Sequence, residues 1–235
     1  MSLANTPRPN WLTFDCYGTL IQWDEGLLAA VERILSKQGG TTVDAAMLIH
    51  TYDKHEHSLE QTVPYESFRT VAGEGLRLAM EQLGLAYRPD DIDILTSSIS
   101  RMPPFPEVVQ ALGALKAENF KLCIISNTDD DIIAGNIKQL GGYIDRVITA
   151  QQAQAYKPSH VIFEYAHRTI GAKKDELVHI CASPHLDLAA ARDLGFRCIW
   201  IDRGTGRKPP ADYTPDEVFS ALDQVPPYFR SIGWI

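Results

Sequence analysis

Between residues 107 and 202 the chain alternates short apolar runs with amphipathic stretches of helical length, and this alternation limits the fold more than any other feature. Helices are expected over 107–118, 130–140, 159–170 and 187–194, and strands over 121–126, 143–150, 176–183 and 197–202. Strands buried on both faces read as continuous apolar runs, and parallel strands need a crossover of helix length between them. The pattern therefore predicts an α/β fold, a Rossmann-like parallel sheet with helices on both faces. An earlier run of the same kind, 11–21, stops abruptly at Asp15 and turns through Gly18 and Thr19. Open parallel sheets bind ligands beyond the carboxyl ends of their strands, which sets Asp15 at the mouth of a site as a candidate nucleophile.

The segment between Asp15 and the alternating region has another character. Asp24 is placed to cap a helix over 24–37, in which Leu27, Leu28, Val31, Ile34 and Leu35 recur at helical spacing before Gly39-Gly40. From 41 to 101 the pattern is helical throughout, with apolar faces in 45–59, 65–83 and 92–99 and breaks at Gly84 and Pro89. The proline-rich stretch 102–106 makes a stiff return. The expected organisation is a core domain of 1–23 and 103–235 interrupted by an inserted helical domain of 24–102. Residues 204–212 read as a polar loop and 215–222 as a last short helix.

Composition narrows the class of function. The chain has 235 residues, 45% of them hydrophobic, enough for a sizeable core, and a net charge of −8 with no clustered basic face, which argues against nucleic-acid binding. Small anionic substrates remain open through a local basic pocket. Cys16, Cys123, Cys181 and Cys198 lie in or beside apolar runs without Cys-x-x-Cys spacing and read as buried, reduced thiols. No apolar run reaches membrane-spanning length and the first residues lack signal-peptide blocks, so a soluble, cytoplasmic protein with no membrane partner is expected.

Four polar clusters stand where strands run out: Asp15 to Thr19, Ser126-Asn127, Lys157-Pro158 and Ser183 to Asp187. Parallel strands share one direction, so these clusters gather on one edge of the sheet. Asp15 would attack an electrophile, Lys157 would keep it ionised and aimed, and Thr19 and Ser126 would donate hydrogen bonds to it or to the substrate. Asp129-Asp130-Asp131 reads as the acidic start of a helix rather than a cation site, and His50, His55 and His57 as an exposed helix face rather than metal ligands.

These clusters, in this order, resemble the four motifs of the haloacid dehalogenase superfamily, with 24–102 similar to its cap. Phosphatases of that superfamily carry a second aspartate two residues after the nucleophile to protonate a leaving alcohol; Tyr17 stands there instead, as in the type II 2-haloacid dehalogenases. A halide needs no proton on departure, so the tyrosine favours carbon–halogen cleavage. The resemblance implies displacement of halide from a short 2-haloacid by Asp15, with an ester intermediate hydrolysed to a 2-hydroxy acid. It implies that Lys157 and Ser126 orient the nucleophile, that Asp187 supports Lys157 or the hydrolytic water, and that Tyr17, Asn127 and Ser183 bind substrate or halide. No cofactor or metal is required on this reading, and a homodimer through the insert is in keeping with it. Three departures stand out: residues 41–61 lack the family's cap arginine, leaving Arg69, Arg77, Arg88 and Arg101 further on; Phe163 occupies the place of a family tyrosine, with Tyr165 nearby; and Pro184 stands where the fourth motif has an asparagine. The alternatives are a magnesium-dependent phosphatase, with Asp15, Tyr17 and Asp187 holding Mg2+, and a non-catalytic binding protein on the same fold.

Overall fold

The computed structural model describes residues 3–235. Six strands form one all-parallel sheet: β1 (Trp11–Phe14), β2 (Lys121–Ser126), β3 (Arg146–Thr149), β4 (Leu177–Cys181), β5 (Cys198–Ile201) and β6 (Glu217–Phe219), in the order β3-β2-β1-β4-β5-β6. β1 is central, pairing with β2 from Trp11↔Lys121 to Phe14↔Ile124 and with β4 from Trp11↔Leu177 to Phe14↔Ile180. Leu12, Phe14, Leu122, Ile124, Val178 and Ile180 are fully buried, as strands covered on both faces require. The α/β architecture is the one the alternation predicts. The central strand ends at Phe14, so the residue after it, Asp15, stands in the crevice flanked by the ends of β2 and β4.

Helices α5 (Val108–Ala117), α6 (Asp130–Ile137), α7 (Ala150–Ala153), α8 (His160–Ile170) and α9 (Ala189–Leu194) carry the crossovers. The chain end departs from expectation. In place of a helix over 215–222, β6 lies against β5 in the register Ile199↔Glu217 to Ile201↔Phe219, and the helix comes later as α10 (Val225–Ser231). The open edge of β5 has backbone groups to satisfy, and that demand outweighs local helix preference. Pro226 and Pro227 then fall in the first turn of α10, where their missing N–H groups cost nothing.

Between β1 and α5 lie α1 (Trp23–Leu35), α2 (Ala45–Glu60), α3 (Phe68–Gln82) and α4 (Asp91–Ile99), close to the expected spans. Asp24 does not cap α1: Gln22 occupies that position, and the Asp24 carboxylate in the first turn binds Arg207. The two chain crossings into and out of this helical insert run side by side, Gln22 N donating to Pro103 O and Phe105 N to Leu20 O. α3 is tied to the sheet by Asp129, whose carboxylate accepts from Phe68 N at 3.0 Å and Arg69 N at 2.9 Å. Asp129 thus serves a helix start other than that of its own helix, while Asp130 and Asp131 sit in the first turn of α6, as their acidity suggests. The four cysteines are buried and free.

Replacing Asp129 with Ala orphans two backbone donors at the start of α3, so the variant should lose about 1–3 kcal/mol of unfolding free energy, measurable by urea denaturation.

Candidate active site

Asp15 is 5% exposed and both of its carboxylate oxygens are held. Lys157 Nζ donates to Oδ1 at 2.7 Å, and Thr19 Oγ1 donates to Oδ2 at 2.6 Å. Thr19 is itself fixed by Ala182 N, which donates to its hydroxyl at 2.8 Å across the end of β4. The turn between them requires Gly18, whose φ of +80° is strained for any residue bearing a Cβ. Lys157, fully buried, also donates to Asp187 Oδ1 at 2.9 Å, so one ammonium joins two carboxylates. Asp187 does not cap a helix: a wide π-type turn over Pro184–Leu188 carries it inward, and α9 begins only at Ala189.

Behind Asp187 stands a residue that the strand pattern concealed. His179, in β4, places Nε2 at 3.0 Å from Asp187 Oδ1 and Nδ1 at 2.8 Å from Thr13 Oγ1, a buried relay from the central strand to the lysine. Phe163 packs edge-on against His179 with ring centres 5.7 Å apart, so it belongs to the core behind the relay. Tyr165 is half-buried, with the Arg168 guanidinium 5.8 Å from its ring centre. Burial raises the Asp15 carboxyl above the ordinary carboxylate range, with Lys157 opposing and Asp187 adding to the rise. Burial acts the same way on Asp187, but there Lys157 and His179 together prevail and hold the carboxyl below its usual value.

An aspartate, a threonine, a lysine and a second aspartate thus meet at the carboxyl edge of a parallel sheet. A family model for haloacid dehalogenase-like hydrolases matches residues 10–195, a span that includes all four. The chain belongs to this family. The hydrolase is 25% identical over 206 residues to (S)-2-haloacid dehalogenase 4A of Burkholderia cepacia, covering 86% of each chain. It is 27% identical over 194 residues to (S)-2-haloacid dehalogenase 1 of Pseudomonas sp. strain CBS-3, covering 81% of this chain and 83% of that one. The fold is shared with an L-2-haloacid dehalogenase from Xanthobacter autotrophicus solved with chloropropionic acid covalently bound, at a TM-score of 0.80 and 18% identity over 94% of this chain and 98% of that one.

In this hydrolase Asp15 opens onto a cavity of about 110 Å³, room for a molecule of a few heavy atoms. Ser126 lines it and is buried, with no protein partner for its hydroxyl; Ser183, Tyr17 and Asn127 line it too. The Tyr17 hydroxyl is already engaged, donating to Asn136 Oδ1 at 2.9 Å. Asn127 is similarly committed: its amide nitrogen donates to Glu60 Oε2 and Lys157 O, both at 3.2 Å, and its oxygen accepts from Lys157 N at 2.7 Å. Asn127 therefore fixes the lysine backbone, and Ser126 keeps its donor for a ligand. Of the two, only the serine hydroxyl has no protein partner.

The opposite wall comes from α2, which contributes Asp53, Glu56, His57 and Glu60 to the cavity. This changes the reading of the histidines. His50 is exposed and His55 Nε2 lies 2.9 Å from Gln82 Oε1, but His57 faces the site, with Nε2 2.8 Å from His185 Nε2. Glu56 and Glu60 are 6% and 7% exposed, one helical turn apart on the same face. Burial raises both, Glu56 to about 7, with His57 opposing at Glu56 and Glu56 adding to the rise at Glu60. The arginines of the insert point elsewhere: Arg69 binds Thr96 and Asp131, Arg77 binds Glu74 and Glu81, and neither these nor Arg88 and Arg101 line the cavity. Among the described residues, His179, Cys181 and Asp187 bring metal-ligating atoms within 4.8 Å of one another, but the histidine and aspartate are already bound to each other.

Two outcomes are expected. Lys157→Met strands two buried carboxylates and should cost about 3–5 kcal/mol in denaturant unfolding. Glu56 titrates near 7 in the folded protein against an ordinary value of 4.5, so its contribution to stability is full below 4.5 and is lost as pH rises through 7. Glu56→Gln, which can still accept the hydrogen bond from Tyr52, should therefore lose less Tm than the unmodified protein between pH 6 and 8.

Proposed function

We propose that this hydrolase cleaves the carbon–halogen bond of a short 2-haloacid, giving a 2-hydroxy acid, with residues 24–102 acting as its cap. The observation that carries the reading is the setting of Asp15: desolvated, held at both oxygens and facing the cavity, with Tyr17 in the place of a proton donor and its hydroxyl turned to Asn136. A carboxylate stripped of water is a stronger nucleophile, and halide departs without a proton. The (S)-2-haloacid dehalogenases to which the chain is similar support the substrate class.

In the first step an Asp15 oxygen attacks C2 with inversion, and the halide leaves with the bonding electron pair. Lys157 and Thr19 fix the carboxylate for in-line attack, and the Ser126 hydroxyl, which has no protein partner, donates to the ligand. Water then attacks the carbonyl carbon of the ester, and the 2-hydroxy acid departs with one of the original aspartate oxygens. Asp187 does not line the cavity, so it acts by positioning Lys157, with His179 and Thr13 behind it. A magnesium-bridged phosphatase would need Asp15, the Tyr17 carbonyl and Asp187 to converge on one ion. That donor set fits poorly: Asp187 Oδ1 is taken up by Lys157 and His179, and although Oδ2 has no protein partner, Asp187 does not line the cavity with Asp15 and Tyr17.

A single turnover in H2 18O, with enzyme in excess over 2-chloropropionate, tests the scheme. The label should enter the Asp15 carboxylate, found as a mass increase on its peptide, and Asp15→Asn should release no halide. Label in the first-turnover product instead, or phosphate release from esters that depends on Mg2+ without halide release from any haloacid, would overturn it.

A further inference from the structure

The cavity contains two permanently cationic side chains, and one of them is fully employed. Lys157 neutralises Asp15 and Asp187 at 2.7 and 2.9 Å and has no charge to offer a third carboxylate. The other is Arg207, which comes from the loop between β5 and β6. In the sequence it falls within the polar loop 204–212.

We infer that Arg207 is the receptor for the substrate carboxylate, presented from the core side of the cavity. This rests on the haloacid reading above and deepens it. The first support is position. The guanidinium passes close over the loop that carries the nucleophile: Nη1 lies 3.9 Å from where a Cβ on Gly18 would stand.

The second support is anchorage. Arg203, four residues earlier, donates from Nη2 to Thr19 O and from Nη1 to Glu107 Oε1, both at 2.6 Å, and its guanidinium lies 3.7 Å from the Phe105 ring centre. The start of the Arg207 loop is therefore fastened to the turn that also holds Asp15. Gly204 and Gly206, at φ of +71° and +76°, bend the chain back between the two arginines.

The third support is availability. The bond recorded for Arg207 is a single one, from Nη2 to Asp24 Oδ1 at 2.9 Å, in a pair whose side chains are 38% and 45% exposed. Exposed pairs of this kind contribute little, and a bidentate carboxylate ligand competes well against one monodentate contact. Burial raises Asp53, Glu56 and Glu60, which weakens the competition of these acids for the guanidinium, although Arg207 itself opposes the rise at Asp53.

Calorimetric titration of the full chain with D-lactate, the inert 2-hydroxy acid that inversion of an (S)-2-haloacid gives, and with neutral D-lactamide tests the assignment. The unmodified protein should bind lactate; Arg207→Gln should bind it at least tenfold more weakly, with lactamide affinity unchanged, and Arg207→Lys should fall between. In turnover, Arg207→Gln should raise KM for 2-chloropropionate at least tenfold with kcat within a few fold. Lactate binding that is absent from the unmodified protein, unchanged in Arg207→Gln, or lost together with lactamide binding would overturn the inference. Lactate binding that depends on Arg207, with no halide released from any haloacid, would uphold the receptor and sink the dehalogenase reading.

Discussion

One buried ammonium organises this protein. Lys157 is fully enclosed and joins Asp15, which follows the central strand, to Asp187, which follows its neighbour β4. A charge removed from water is tolerated only where partners compensate it, and here each partner arrives from a different crossover. The lysine needs both strand ends at their observed register, and the carboxylates need the lysine. Asn127 holds the lysine backbone, while His179 and Thr13 brace Asp187 from behind. The geometry of the candidate site and the stability of the core consequently rest on the same set of contacts.

The insert divides its work between attachment and chemistry. Asp129 seats the start of α3, and the Tyr156 hydroxyl donates to Glu66 O, so the helices are fastened to the sheet beside the site. α2 then brings Glu56, His57 and Glu60 to the cavity onto which Asp15 opens. This wall is acidic in composition, yet burial favours the protonated state of its glutamates. The result is a cavity whose formal charge and effective charge differ, which matters for any anionic ligand.

The sheet was legible because its strands are apolar on both faces and its crossovers are amphipathic, patterns that local sequence expresses directly. The clusters after β1, β2 and β4 were legible because parallel strands deliver their last residues to one edge; Lys157 instead follows α7, eight residues beyond the end of β3, and is brought to the same edge by the loop before α8. His179 was hidden because a buried histidine in an apolar strand has no local signature; its meaning comes from Thr13 and Asp187, distant in sequence. β6 has no local strand signal because the need for it arises from the open edge of β5. The His57 side chain stays 41% exposed, as its helix face suggests, but the contact with His185 and its place in the cavity wall depend on the packing of α2 against the core.

By itself, the order of residues determined the α/β class, the position of Asp15 beyond the central strand, and the identity of Thr19, Ser126, Lys157 and Asp187 as its company. These follow from periodicity and strand direction, which are local or nearly so. Tertiary structure alone decided which polar groups are satisfied and which have no protein partner: Asn127 and Tyr17 are engaged, the Ser126 hydroxyl is unpartnered, and Arg207 keeps most of its donors. Hydrogen bonding and desolvation depend on neighbours far apart in the chain, and only folding brings those neighbours together.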